Sequence, residues 1–117
     1  MSYISRVAIA VPTTAADALI ATAKSEGRED VINLLKRGSR RDNVKCAADV
    51  SWTILRFEAD EYYESGVIEY IRDFFYDELN DEYDYVRVGE SIADNYEHLY
   101  SGMDLLYVRA EIVENDF

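Results

Sequence analysis

The residues best placed to do specific chemistry are carboxylates that recur at helical spacing in the second half of the chain. Glu69, Asp73 and Asp77 repeat every fourth residue, so a helix would align them on one face, about 6 Å apart. We call these three residues the acidic row. Like charges at this spacing cost a helix about 0.2–0.5 kcal/mol per pair, so helix stability does not explain them. Their chemistry is either the attraction of a basic surface or, more simply, solvation of a helix face.

Further acids follow the row, and two tyrosines accompany it. The following acids are Asp81, Glu82, Asp84, Glu90, Asp94 and Glu97. Helical angles place Tyr70 and Tyr76 beside the acids, off the apolar stripe of the same helix. Tyrosine is common at protein interfaces because it buries a large area and keeps a polar tip. We therefore predict the two tyrosines as interface anchors; the alternative, of about equal weight, is that the tyrosines cover the open face of the sheet and the turns.

Metal binding and acid–base catalysis fit these carboxylates less well. The calcium-loop pattern fails, because aligning Asp77 with its first position puts Leu79 at a ligand position and Glu82 where glycine belongs. Among twenty-four Asp and Glu residues, nothing marks one pair as a general acid and base. We predict no catalytic residue, no metal site and no cofactor.

The single cysteine and the single histidine are the other reactive side chains. Cys46 and His98 could form a nucleophile pair, but no third residue and no glycine-rich turn supports one. We interpret Cys46 as a small buried residue and His98 as a surface or boundary residue. One cysteine excludes an intramolecular disulfide, and five singly scattered glycines leave no phosphate-binding loop.

Charge is divided unevenly along the chain. Residues 1–56 carry nine Lys or Arg and six Asp or Glu, whereas residues 57–117 carry three and eighteen. Nine of the ten tyrosines and all four phenylalanines lie in the acidic half, which indicates a folded acidic surface and not a disordered tail. A net charge of −12 argues against direct binding to nucleic acid or to an anionic membrane.

The length of 117 residues fits a single domain over residues 1–117. The apolar stretch Tyr3–Val11 is too short for a signal peptide and ends at Pro12. No stretch approaches the roughly 18–20 apolar residues of a membrane span. We therefore expect a soluble, cytoplasmic protein.

Local patterns predict an α+β fold in the order β-α-α-β-α-β-β. The predicted strands are Ile4–Val11, Val50–Ala59, Tyr85–Val88 and Leu106–Ile112, and the predicted helices are Ala15–Lys24, Arg28–Arg37 and Gly66–Leu79. Thr14 with Asp17 resembles a capping box, Gly27 is expected to break the helical region, and Gly38 to stop the second helix. This order implies a mixed sheet with the helices on one face.

The basic residues concentrate in Arg37–Lys45, which contains the predicted loop Ser39–Asn43. With the whole chain strongly negative, this segment is a poor candidate for nucleic-acid binding. It could neutralise the acidic half within a homodimer, or lie far from the acids and leave the molecule dipolar.

Two segments resemble small acidic accessory proteins of tailed bacteriophages. They are Trp52–Phe57 (WTILRF) and Asp84–Tyr100 (DYVRVGESIADNYEHLY). Together with the helix between them, they cover about half of the chain. The resemblance implies a role in host takeover or counter-defence, in which acidic proteins occupy the nucleic-acid channels of restriction enzymes, CRISPR effectors, nucleases or nucleoid proteins.

The sequence therefore predicts a non-enzymatic acidic inhibitor that mimics nucleic-acid charge and binds a basic nucleic-acid-binding protein of the host. The alternative is a small phage or plasmid assembly or adaptor protein whose acidity serves solubility. The predicted partner-binding residues are Glu69, Tyr70, Asp73, Tyr76, Asp77, Asp81, Glu82, Asp84, Glu90, Asp94 and Glu97.

Overall fold

The computed structural model describes residues 4–45, 51–80, 82–89 and 96–98, with the backbone alone for Lys45, residues 61–63 and residues 96–98. The described ranges contain five strands and three helices. They are β1 (Ile4–Pro12), α1 (Thr13–Ser25), α2 (Glu29–Arg37), β2 (Ser39–Lys45), β3 (Ser51–Asp60), α3 (Glu61–Leu79), β4 (Asp84–Val88) and β5 (Tyr96–His98). The prediction of an α+β fold is confirmed.

The five strands form one sheet in the order β2-β3-β1-β4-β5. Strand β1 lies at its centre, pairing with β3 from Ile4↔Asp60 to Pro12↔Trp52 and with β4 on its other side. Every described pair of neighbouring strands is antiparallel, so the predicted mixed sheet is wrong for this part of the chain. Strands joined through helices can run parallel or antiparallel, so the order of the elements does not determine the relative direction of the strands.

The three helices pack on one face of the sheet, as predicted. Alternate residues of β1 (Val7, Ile9, Val11) and of β3 (Leu55, Phe57) point to that face, because side chains alternate along a strand. They form a single core cluster with buried residues of the helices, which are Ala15, Ala16, Leu19, Ala23, Val31, Leu34, Val67, Ile68, Ile71 and Phe75. This packing fixes which side of each helix faces outward.

Strand β2 occupies the segment that was predicted as the basic loop Ser39–Asn43, so that prediction is wrong. Its residues 39–43 are exposed, and only Val44 is buried. The register with β3 shifts between Arg41 and Val44, and Asn43 has a φ of 61°. Charged side chains and irregular pairing are typical of edge strands. Because residues 39–43 show no apolar alternation, the sequence did not predict a strand here.

Two glycines shape the path through α1, α2 and β2. Gly27 has a φ of 70° and ends α1, which confirms the predicted break. Gly38 follows α2 in an extended conformation, with a φ of −86°. A Cβ atom at Gly38 would lie 1.9 Å from the backbone oxygen of Arg56. Helix α2 ends at Arg37, so the predicted stop at Gly38 is confirmed, and Gly38 is also needed for close packing against β3.

Helix α1 begins directly after β1, and its start differs from the prediction. Its N-cap residue is Pro12, and no side-chain hydrogen bond caps the helix. The capping box of Thr14 with Asp17 is therefore wrong. The Thr13 hydroxyl oxygen instead lies 2.9 Å from that of Thr53 and 3.0 Å from that of Ser51, which joins the start of α1 to β3.

In the second half of the chain, the predicted ends of α3 and β4 are confirmed, whereas their starts differ from the prediction. Helix α3 begins at Glu61, five residues before the predicted start at Gly66, and ends at Leu79 as predicted. Strand β4 begins at Asp84, one residue earlier than predicted. The short strand β5 was not predicted, and the predicted strand Leu106–Ile112 lies outside the described residues.

Candidate protein-binding surface

Helix α3 positions the acidic row. Val67, Ile68, Ile71 and Phe75 bury one side of the helix in the core, since they repeat at helical spacing. Glu69, Asp73 and Asp77 lie on the opposite side and are all exposed. The structure therefore brings the three carboxylates onto one outward face in the predicted line.

The acidic row differs in its ion pairing from five other acids of the described chain. Elsewhere, Arg6 pairs with Glu58, Arg28 with Asp30, Arg37 with Glu64, and Arg40 with both Asp17 and Asp42. Among the described side chains, none pairs with Glu69, Asp73 or Asp77. The row therefore presents negative charge that no described cation neutralises.

The two predicted anchor tyrosines lie on opposite sides of the row and differ in accessibility. Tyr76 is 57% exposed. Tyr70 is half-buried, with its hydroxyl donating a hydrogen bond to Glu26 and its ring facing the Arg28 guanidinium at 4.5 Å. Burial, followed by the bond to Glu26, raises the pKa of Tyr70. More than half of Tyr76 is thus accessible to a partner, whereas Tyr70 is already engaged within the chain.

The predicted continuation of the row beyond α3 is only partly supported. Asn80, with a φ of 55°, follows the helix, and the exposed Glu82 donates its backbone N–H to the carbonyl of Leu79. Asp84 is only 1% exposed and pairs in register with Ala10 of β1. Its prediction as a surface charge mimic is wrong, because β4 starts at Asp84 and turns this side chain into the protein.

The other predicted partner-binding acids cannot be placed. Asp81, Glu90 and Asp94 lie outside the described residues, and Glu97 is described only by its backbone in β5, opposite Val86. Two further tyrosines of the acidic half, Tyr83 and Tyr85, are buried.

The fold adds acids that sequence reasoning had left out. Because Tyr70 contacts Glu26 and Arg28, the turn between α1 and α2 lies against α3. The same contacts place Glu26 and, through its ion pair with Arg28, Asp30 near Tyr70, at the side of the acidic row. No local pattern predicts this proximity, since the contact joins residues 44 positions apart.

The basic segment neutralises acids of its own chain. Arg40 donates hydrogen bonds to Asp17 at 2.7 Å and to Asp42 at 2.9 Å. Asp42 also accepts a hydrogen bond from the buried Thr53 hydroxyl at 2.6 Å. The bond from Thr53, then the bond from Arg40, lowers the pKa of Asp42. Pairing with acids of the same chain, a role that was not considered from the sequence, accounts for Arg37 and Arg40 without a second copy.

The described side chains contain no group of three or more His, Cys, Asp or Glu arranged to hold a metal ion. The conceivable Cys46–His98 pair falls outside the described side chains. No described helix has both the length and the apolar character to cross a membrane. No protein-family model, no curated protein and no solved structure matches this chain.

Proposed function

We propose that this chain is a non-enzymatic acidic inhibitor that mimics nucleic-acid charge and binds a basic nucleic-acid-binding protein. The observation that carries the proposal is the acidic row, exposed on α3 and without an ion pair to any described side chain. Elsewhere in the described chain, five acids pair with arginine: Asp17, Asp30, Asp42, Glu58 and Glu64. A row that served only to solubilise the protein would not need this segregation.

The spacing of the row supports a partner that binds nucleic acid. Carboxylates on successive turns lie about 6 Å apart, which is of the order of the distance between successive phosphates on a strand. A groove lined with Lys and Arg to follow a phosphate backbone would meet a similar series of charges on α3. The net charge of −12 adds long-range attraction, which increases the rate of encounter with such a groove.

The resemblance to phage accessory proteins supports a host protein as the target. Restriction enzymes, CRISPR effectors, nucleases and nucleoid proteins all present basic channels or surfaces to nucleic acid. The choice of a host protein as the target rests on analogy, whereas the positive charge of the partner is inferred from the acidic row.

The experiment compares two charge-reversal triples that change the net charge equally. The row variant carries E69K, D73K and D77K, and the control carries D17K, E29K and E58K, which are exposed acids outside α3. Each immobilised protein is exposed to bacterial DNA-binding proteins purified on DNA-cellulose. Bound proteins are identified at about 50 and 300 mM salt, with and without competing duplex DNA.

The wild type and the control are expected to retain the same target at low salt, to release it at high salt and to lose it to competing DNA. The row variant should retain little of it while keeping a cooperative thermal unfolding transition. Equal retention by the row variant would contradict the proposal. Retention that neither salt nor DNA affects would instead favour the assembly or adaptor protein.

A further inference from the structure

Tyr76 stands out on the described surface as an exposed aromatic side chain between two carboxylates. Among the described large hydrophobic side chains, Tyr76 and Ile4 are the exposed ones, at 57% and 37%. Asp73 lies one turn before Tyr76, and Asp77 follows it directly. Because side chains on a helix lean towards its N-terminus, the Tyr76 ring covers the turn that carries Asp73. The aromatic face of Tyr76 and the carboxylate of Asp73 therefore lie side by side on α3, and Asp77 lies one turn beyond Asp73.

The same chain already uses this combination to hold an arginine. The Arg28 guanidinium lies 4.5 Å from the centre of the Tyr70 ring and donates two hydrogen bonds of 3.1 Å to the Asp30 carboxylate. A second arginine, Arg72, lies 5.0 Å from the centre of the Tyr85 ring. The Tyr70 arrangement is complete within the molecule, whereas no cation among the described side chains contacts the patch around Tyr76.

We infer that Asp73, Tyr76 and Asp77 form a binding site for one arginine side chain of the partner. The inference rests on the proposed function and specifies the chemistry of the contact. The guanidinium would stack on the Tyr76 ring and donate its N–H groups to the two carboxylates. A planar guanidinium can make both contacts at once, whereas the compact, strongly hydrated ammonium of lysine matches this geometry less well.

The site is tested with arginine and lysine homopeptides of equal length as probes. Their dissociation constants are measured by calorimetry for the wild type and for Tyr76→Leu, Tyr76→Phe and Ile4→Ala. For the wild type, we expect the arginine peptide to bind about two- to five-fold more tightly than the lysine peptide, as one exposed cation–π contact provides. Tyr76→Leu should abolish this preference while changing affinity for the lysine peptide by less than about two-fold.

Two controls separate the ring from other effects of the substitution. Tyr76→Phe keeps the ring and should keep the preference for arginine. Ile4→Ala removes exposed apolar surface elsewhere and should leave both affinities unchanged. A preference for arginine that survives in Tyr76→Leu, or that is absent from the wild type, would overturn the arginine site.

The row variant with E69K, D73K and D77K distinguishes failure of this site from failure of the proposed function. Weaker binding of both peptides by the row variant, with an arginine preference insensitive to Tyr76, would remove the arginine site alone. Unchanged binding of both peptides by the row variant would contradict the acidic row as a binding surface, and with it the proposed function.

Discussion

The hydroxyl of Tyr70 donates a hydrogen bond to the carboxylate of Glu26, which lies 44 residues earlier in the chain. The contact joins the middle of α3 to the turn after α1. The Arg28 guanidinium also lies over the face of the Tyr70 ring. The bond to Glu26 ties α3 to this turn on one side of the acidic row, whose outward direction is set by the buried residues of α3. Tyr70, which was predicted as an interface anchor, thus makes its contacts to residues of its own chain.

Removing the Tyr70 hydroxyl should destabilise the fold without disturbing the core. We expect Tyr70→Phe to lower the free energy of unfolding by about 1 kcal/mol, because it removes one hydrogen bond to a charged group but keeps the ring beneath Arg28. Urea unfolding measures the change. Tyr76→Phe is the matched control, since Tyr76 is exposed on the same helix and its hydroxyl bonds to no described side chain. Equal losses in the two variants would show that the bond to Glu26 contributes nothing.

Two glycine-to-alanine substitutions should change stability in opposite directions. Gly38→Ala places a Cβ atom 1.9 Å from the Arg56 backbone oxygen, and we expect it to cost at least about 1–3 kcal/mol as β2 moves away from β3. Gly66 lies inside α3 with nothing within 4 Å of its added Cβ atom. Gly66→Ala should therefore stabilise the protein by about 0.5–1 kcal/mol through helix propensity. Thermal unfolding of both variants provides the comparison, and a tolerated Gly38→Ala would contradict the close approach.

Periodicity predicted the features of this fold that depend on neighbouring residues. The spacing of Ile68, Ile71 and Phe75 predicted both the buried side of α3 and the outward face of the acidic row. The short, β-branched apolar stretch after Ile4 predicted β1 as a buried strand, and Val7 to Val11 are all buried. A helix that buries one side leaves a periodic pattern in the sequence, whereas a strand that is buried on both faces leaves a continuous apolar run.

Features that depend on distant contacts left no such trace. Strand β2 is exposed at residues 39–43 and therefore lacks alternation, although its pairing with β3 defines one edge of the sheet. Tyr70 and Tyr76 look equivalent in the sequence, and only the approach of Glu26 and Arg28 separates the engaged residue from the exposed one. The direction of Asp84 likewise depends on where β4 begins.

Asp84 and Asp77 should respond differently to the same charge reversal. Asp84→Lys places an ammonium group at a position that is 1% exposed, and we expect a loss of about 3–5 kcal/mol or failure to fold. Asp77→Lys should change the free energy of unfolding by less than about 0.5 kcal/mol, because the Asp77 side chain is exposed and the substitution removes only its repulsion with the other acids of the row. The milder Asp84→Asn keeps the volume and should remain folded with reduced stability. Wild-type stability of Asp84→Lys would place that side chain at the surface after all.

Asp42 should make stability depend on pH in the acidic range. Its hydrogen bonds from Thr53 and Arg40 lower its pKa in the folded state, so unfolding below the ordinary aspartate pKa of about 4 takes up a proton. The stability due to Asp42 is therefore complete above that pH and is lost as the pH falls through the lower, folded value. We expect Asp42→Asn to be less stable than the wild type at pH 7, with the difference shrinking towards about pH 2. Urea midpoints across this range measure the effect. Thr53→Val, which removes the first donor, should also weaken this dependence, and a difference between Asp42→Asn and wild type that stays constant with pH would contradict the assignment.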